Sequence, residues 1–214
     1  MNNLQKIGGI AALFEAAIYI AAFVFFGAFW DYPSSAGDAQ KFIFLTNNQL
    51  ILSIVNLTMY VVFGLFLAIL VLALHQRMKT KAPALSQLAS VFGIIWVGLV
   101  IASGMIANIG LAAVIDLSTS NIEQAKTLLV VVNTIVEGLG GGNEVVGGLW
   151  VLLLSIAGLK INELPKLLHY LGLFIGSVGI LTIYPAEILT EIFGLGQIIW
   201  FSWLGVAMLK TPQN

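Results

Sequence analysis

The sequence predicts an all-α fold: a polytopic membrane bundle of six transmembrane helices, with both termini cytoplasmic and a long fourth helix projecting outward. Three observations carry the prediction. Hydrophobic residues make up 59% of the 214-residue chain and charged residues only 9%, against about 25% charged in an ordinary soluble domain. The apolar residues gather into runs long enough for a helix to cross hydrocarbon, which takes about 20 residues. Lys and Arg fall almost entirely in alternate connections between those runs, as the positive-inside rule expects of a cytoplasmic side. Residues 1–214 read as a single transmembrane domain.

The first span runs from Ile7 to Trp30 and reads as an uncleaved helix, because a signal peptide has a shorter apolar segment and a small-residue cleavage site. Glu15 lies inside it, on a face shared with Gly8, Ala11, Ala12, Tyr19 and Ala22. A face so small is expected to pack against other helices. Asp31 to Asn48 is an irregular loop marked by Pro33, Ser34, Ser35 and Gly37. Span 2 covers Gln49 to Leu74, with Gln49, Ser53, Asn56 and Tyr60 along one face, and Pro83 confirms its end after the basic stretch Arg77 to Lys81.

Span 3 runs from Leu85 to Ile115, with Gly93, Gly104, Ala107 and Asn108 in one sector. Asp116 to Glu123 is a polar loop in which Ser120 or Asn121 caps the next helix. The fourth element, Ile122 to Lys160, is far longer than one crossing requires. It is expected to be one continuous helix whose first two to four turns project above the membrane, the alternative being a break near Gly140-Gly141-Gly142. Ile161 to Lys166 connects to span 5, Leu167 to Tyr184, and Pro185 turns the chain into span 6, Leu189 to Leu209. In this arrangement Lys6, Arg77, Lys79, Lys81, Lys160, Lys166 and Lys210 share the inner side, leaving Lys41 and Lys126 outside.

Asn133 to Trp150 is the stretch that apolar composition does not explain. On a continuous helix at roughly 100° per residue, Asn133, Glu137, Gly140, Glu144, Gly147, Gly148, Ser155 and Gly158 share one face. A carboxylate turned to lipid costs on the order of 3 kcal/mol, so this face is expected to point into the protein. The glycines, including a Gly138/Gly142 pair, equally suit a helix-packing seam. At roughly 1.5 Å per residue, Asn56, Asn108, Glu144 and Gln197 all fall about 8 to 12 Å below the outer boundary on four spans. With Tyr60 below and Glu137 above, they are the candidate ligand-binding residues of an outward-facing polar pocket. Glu15 and Glu144 are the candidate proton-binding groups. Alternatively, each amide makes one interhelical hydrogen bond and there is no pocket.

Several chemistries are disfavoured. The absence of cysteine removes disulfides, thiolate nucleophiles and thiol metal sites, and two histidines do not make a three-histidine centre. His75 and His169 fall at the inner interface, where a polar tip on an apolar body is common. The nine Lys and Arg form no basic patch, so no nucleic-acid partner is expected. Gly138 to Gly142 lacks the Lys and Ser/Thr of a phosphate loop, and neither a metal nor a cofactor is predicted.

Gly148-Leu149-Trp150 before an apolar run, Leu164-Pro165-Lys166 in a short loop, and then Leu171-Gly172 give the chain a further feature. In these residues it resembles a bacterial family of six-span membrane proteins catalogued only as a domain of unknown function. The specific part of the likeness is confined to spans 4 and 5, where this chain carries the extra residues Leu168-His169-Tyr170 before the Leu-Gly pair. The resemblance implies a six-span fold in a bacterial plasma membrane and no substrate. Two functions then fit, beyond contact with membrane lipid. One is a protein that binds or transports a small amphipathic or hydrophobic ligand with linkage to protons. The other is a non-catalytic subunit docking a membrane-protein partner by its glycine-rich faces. An enzyme is least supported, since nothing supplies a nucleophile or a metal, and no inverted repeat is evident.

Overall fold

The computed structural model describes residues 3–141 and 144–211. The chain forms α1 (Asn3–Val24), α2 (Asp38–Asn47), α3 (Gln49–Asn56), α4 (Phe63–Met78), α5 (Pro83–Ser118), α6 (Ile122–Val136), α7 (Val145–Ile161), α8 (Lys166–Leu181) and α9 (Glu187–Lys210). Wider π turns interrupt the regular helix at Phe25–Phe29, Leu57–Val62 and Glu137–Gly141. The second joins α3 to α4 as one long element. Among the described residues, five helical elements are long and apolar enough to cross a membrane, and α8 is apolar but shorter. This is the build of a multi-pass membrane protein.

Three expectations about these elements change. Asp31 to Asn48 is not irregular throughout: Asp38–Asn47 forms the helix α2, whose Phe42 and Leu45, three residues apart on one face, are buried against α5. The fourth element is not one continuous helix: the backbone leaves helical geometry at Gly140 (φ 161°, ψ 21°), and Glu144 stands as the N-cap of α7. Glycine is the poorest helix former after proline, and four of them between Gly138 and Gly142 weaken the helix at the point where it breaks. Gly142 of the Gly138/Gly142 pair lies outside the described residues. The fifth helix stops at Leu181, short of Tyr184, because the Thr182 hydroxyl turns back to donate to the Gly179 carbonyl at 2.6 Å.

The five long elements and α8 close into a ring. α1 packs between α9 and α4, α4 packs on α5, α5 on α7, α7 on α8, and α8 on α9. Helices approach closely where glycine removes a side chain. A Cβ on Gly148 would stand 2.7 Å from the Gly176 carbonyl oxygen and 2.7 Å from the Ile180 nitrogen, so α7 and α8 touch backbone to backbone. Gly9 and Gly205 do the same between α1 and α9. The small face of α1 is buried as its composition predicts, with Ala11, Ala12 and Ala16 almost fully covered.

Aromatic side chains fill the middle of the ring. Trp96, Trp150, Trp200, Phe193 and Phe201 are buried, with ring centroids 5.7 Å apart for Trp96–Trp150 and 5.7 Å for Trp150–Trp200. The outward faces keep their apolar residues exposed, Phe14, Leu65, Ile95 and Phe174 among them, as a lipid-facing surface requires. A second apolar cluster lies apart from the ring. There Phe42 and Leu45 of α2 meet Leu111, Val114 and Ile115 of α5 and Ala125 of α6. Lys126 ties α6 to α2 through an ion pair with Asp38 at 2.8 Å, and its ammonium holds the Asp38 carboxyl below the usual carboxylate range.

Charged groups close the opposite end of the bundle. Buried Arg77 donates from Nε to Glu163 Oε1 at 2.7 Å and from Nη1 to the Thr211 carbonyl at 3.3 Å, while Lys81 stands 3.6 Å from the second Glu163 oxygen. The ring of His169 meets the Glu163 main-chain carbonyl, and His75 pairs with Ser86. Asn162 adopts the left-handed conformation (φ 51°, ψ 41°) that ends α7 and lets the loop reach Arg77. Both histidines thus serve the fold at this end.

Removing one partner of this buried pair leaves the other uncompensated. Arg77→Met is expected to destabilise the protein by about 3 to 5 kcal/mol, and adding Glu163→Leu to recover most of the loss; unfolding midpoints in mild detergent measure both. Gly148→Val is expected to cost about 1 to 3 kcal/mol, because the obstructing atoms are backbone and do not rotate away.

Candidate functional site

Polar residues on the inward faces sort into three layers along the bundle. The contacts between helices set their levels. Gly104 of α5 packs on Tyr60, so Asn108, one turn further along, lies level with Asn56. Gly147 of α7 packs on Trp96, which places Glu144 roughly 13 Å deeper than Asn108 at 1.5 Å per residue. Gly196 packs on Ile175 and Gly9 on Gly205, so Gln197 and Glu15 fall in a third layer, deeper again. The single ring of Asn56, Asn108, Glu144 and Gln197 expected at one depth is therefore not formed. It assumed vertical, unbroken helices, whereas the fourth element breaks and the helices tilt against one another.

Two chambers occupy the first two layers. The outer one, of about 380 Å³, is lined by Asn56, Tyr60, Asn133 and Glu137, with Trp30 and Tyr32 at its rim. The inner one, of about 90 Å³, is lined by Tyr19, Met59, Tyr60, Phe63, Trp96 and Glu144. Tyr60 belongs to both walls. Glu137 faces the outer chamber and also a wider cleft of about 700 Å³ bordered by Thr182, Glu187 and Glu191. Asn108 and Gln197 are not among the lining residues of either chamber.

Local structure explains how the side chains reach these walls. π turns are rare in proteins and recur at functional sites, because the extra residue per turn redirects the side chains around it. Each of the three π turns contributes to a chamber: Phe26 and Glu137 to the outer, Tyr60 to both. Glu144 is held at the start of α7 by its main-chain N–H, which donates to Thr182 Oγ1 at 2.8 Å. Its carboxyl is 7% exposed, and Oε2 finds no hydrogen-bond partner among the described residues. The positive end of the α7 dipole lies beside that carboxyl and favours negative charge there.

Titratable side chains connect the layers. Tyr60 is within electrostatic reach of Glu137 and Glu144, and Tyr19 within reach of Glu144 and Glu15. Glu15 and Gln197 are fully buried, and among the described residues neither the two carboxyl oxygens of Glu15 nor the two amide atoms of Gln197 find a hydrogen-bond partner. Most groups buried this deeply are hydrogen-bonded, so these two are exceptions.

Some wall residues carry no signal in the sequence. Tyr19 was visible as the residue one turn after Glu15 on the same face, but Phe63, Trp96 and Thr182 come together only through packing between helices. Trp96 needs the absent side chain of Gly147 to reach the chamber. No family model, curated protein or solved structure matches the chain, so the likeness in spans 4 and 5 gains no further support.

Gln197 offers a direct check on the deep layer. An amide buried without partners costs about 1 to 3 kcal/mol, so Gln197→Met is expected to leave stability unchanged or raise it by about 1 kcal/mol. A fall in the unfolding midpoint in detergent would show that the amide has a partner in the folded protein.

Proposed function

We propose that this protein binds or transports a small amphipathic or hydrophobic ligand, with linkage to protons, through a polar pocket that opens on the outer side of a bacterial plasma membrane. The observation that carries the reading is the pair of chambers that share Tyr60 in their walls, with Glu144 Oε2, unpartnered among the described residues, at the inner one. Apolar walls with a few converging polar groups are the ordinary make-up of a small-molecule site. An ionisable residue kept inside a membrane bundle points to a pathway or a binding site by default.

The orientation comes from charge. The end of the bundle that bears Lys6, Arg77, Lys79, Lys81, Lys160, Lys166 and Lys210 is the cytoplasmic one, and both termini lie there. The outer chamber then faces away from the cytoplasm, beneath the arm in which α6 and α2 pack on the end of α5. In this reading Asn56, Tyr60 and Glu137 receive the ligand, Glu144 binds ligand or proton, and Glu15 holds a proton deeper in. Asn108 and Gln197 shape the surrounding helices.

The alternative, a subunit that docks a partner by its glycine faces, has less to work with. Gly147 and Gly148 are covered by α5 and α8 of the same chain, and Gly158 by His169.

Proteoliposomes containing a pH-sensitive dye test the proposal. Exposure to cationic, uncharged and anionic amphipaths of six to ten carbons is expected to produce protein-dependent proton movement for at least one class. Glu144→Gln is expected to reduce it at least tenfold. If no class moves protons or raises the unfolding midpoint of the protein, the reading fails.

A further inference from the structure

Resting on that reading, we infer that the inner chamber receives the alkylated ammonium head of an amphipathic organic cation, seated against Glu144 and an aromatic wall, while the tail lies in the outer chamber.

Charge selects the ligand class first. Among the described residues, Glu144 is the only one in the wall of the inner chamber that bears a formal charge, and no Lys or Arg lines it. An anion would be repelled by that carboxylate. An uncharged ligand would leave Glu144 to take up a proton, whereas a cation supplies a counter-charge to Oε2, which has no hydrogen-bond partner among the described residues.

The walls decide between an organic cation and a metal ion. Calcium takes six to eight oxygen ligands and magnesium needs a near-ideal octahedron. This chamber is lined by four aromatic side chains, the Met59 thioether and the aliphatic side chains of Ile18, Ala22 and Val100, with one carboxyl group among the described residues. Tyr19 and Phe63 stand edge to face with centroids 5.5 Å apart, Phe63 and Trp96 do so at 5.8 Å, and Tyr60 belongs to the walls of both chambers. The faces of aromatic rings attract cations, and sites of this kind are used to hold quaternary ammonium groups. A carboxylate on one side of such a cage supplies the counter-charge.

Size and neighbouring surface complete the match. The chamber's 90 Å³ is several times the roughly 30 Å³ that a water occupies in the liquid, room for a compact head but not for a long chain as well. Past Tyr60 the outer chamber offers Leu45, Leu52, Leu129 and Val132 to an alkyl tail. A proton and the cation compete for the same carboxylate, so acidification weakens cation binding.

The test uses the full chain in lipid nanodiscs, with empty nanodiscs as the control, and radiolabelled hexyltrimethylammonium as the probe. Saturable binding is expected, weakening as the pH is lowered. The uncharged isostere 2,2-dimethyloctane is expected to displace the probe at least tenfold less well than unlabelled hexyltrimethylammonium. Glu144→Gln is expected to weaken binding at least tenfold, and Phe63→Leu several-fold. The isostere comparison uses wild-type protein and does not depend on either variant folding. Equal displacement by the isostere overturns the inference. So does the absence of probe binding when uncharged or anionic amphipaths raise the unfolding midpoint, and in that case the broader reading survives. If none of the three classes binds, both fall.

Discussion

The close approach of α7 to α8 at Gly148 and Gly176 is the constraint on which the rest of the molecule depends. Lipid tails are as apolar as leucine, so helices in a membrane gain little by hiding apolar surface from one another and associate through packing instead. Backbone contact at Gly148 anchors the first turn of α7 against α8. On the neighbouring face, Gly147 gives way to the Trp96 ring of α5. With both sides of that turn fixed, the residue preceding it, Glu144, has one direction left, toward the space between α1, α4 and α5. Its main-chain bond to Thr182 secures the same placement from the α8 side. A break in a membrane helix is tolerated where protein covers it or it lines a cavity, and here Gly140 lies beside Val100 and Ser103 of α5 and in the wall of the inner chamber.

Much of this was legible in the sequence, because composition and periodicity report burial directly. The inward turn of Glu15 followed from the glycine and alanines around it, and the order of the helical elements followed from the apolar runs. The Asn133 to Trp150 stretch stood out because carboxylates among glycines have no place on a lipid-facing helix. The break itself is not legible there: apolar residues continue on both sides of it, and hydropathy is blind to a change of direction. The depth of each polar group was the other loss. Counting residues from a boundary assumes straight helices perpendicular to the membrane, and it put Gln197 and Glu144 at one level when packing against α1 and α5 separates them.

The buried ion pair at the other end shows a different limit. Arg77, Lys81 and Glu163 each look like loop charges when read singly, and the positive-inside rule counts the two cations without regard to what they touch. In the fold the Arg77 guanidinium joins the connection after α7 to the residue following α9, so the charges that orient the chain also fasten its last helix. The three π turns behave similarly. Nothing in the side-chain pattern distinguishes Leu57–Val62 from ordinary helix, yet that extra residue is what lets Tyr60 serve two walls while Phe63, less than a turn later, stays in the core.

Tyr60 contributes to the walls of both chambers, so a change in the angle of this one side chain would reshape the two at once. Its place is set in turn by Gly104: a Cβ there would stand 2.5 Å from the Tyr60 Cβ, so the absence of one methyl group on α5 lets this shared wall sit where it does, from a position that lines neither chamber.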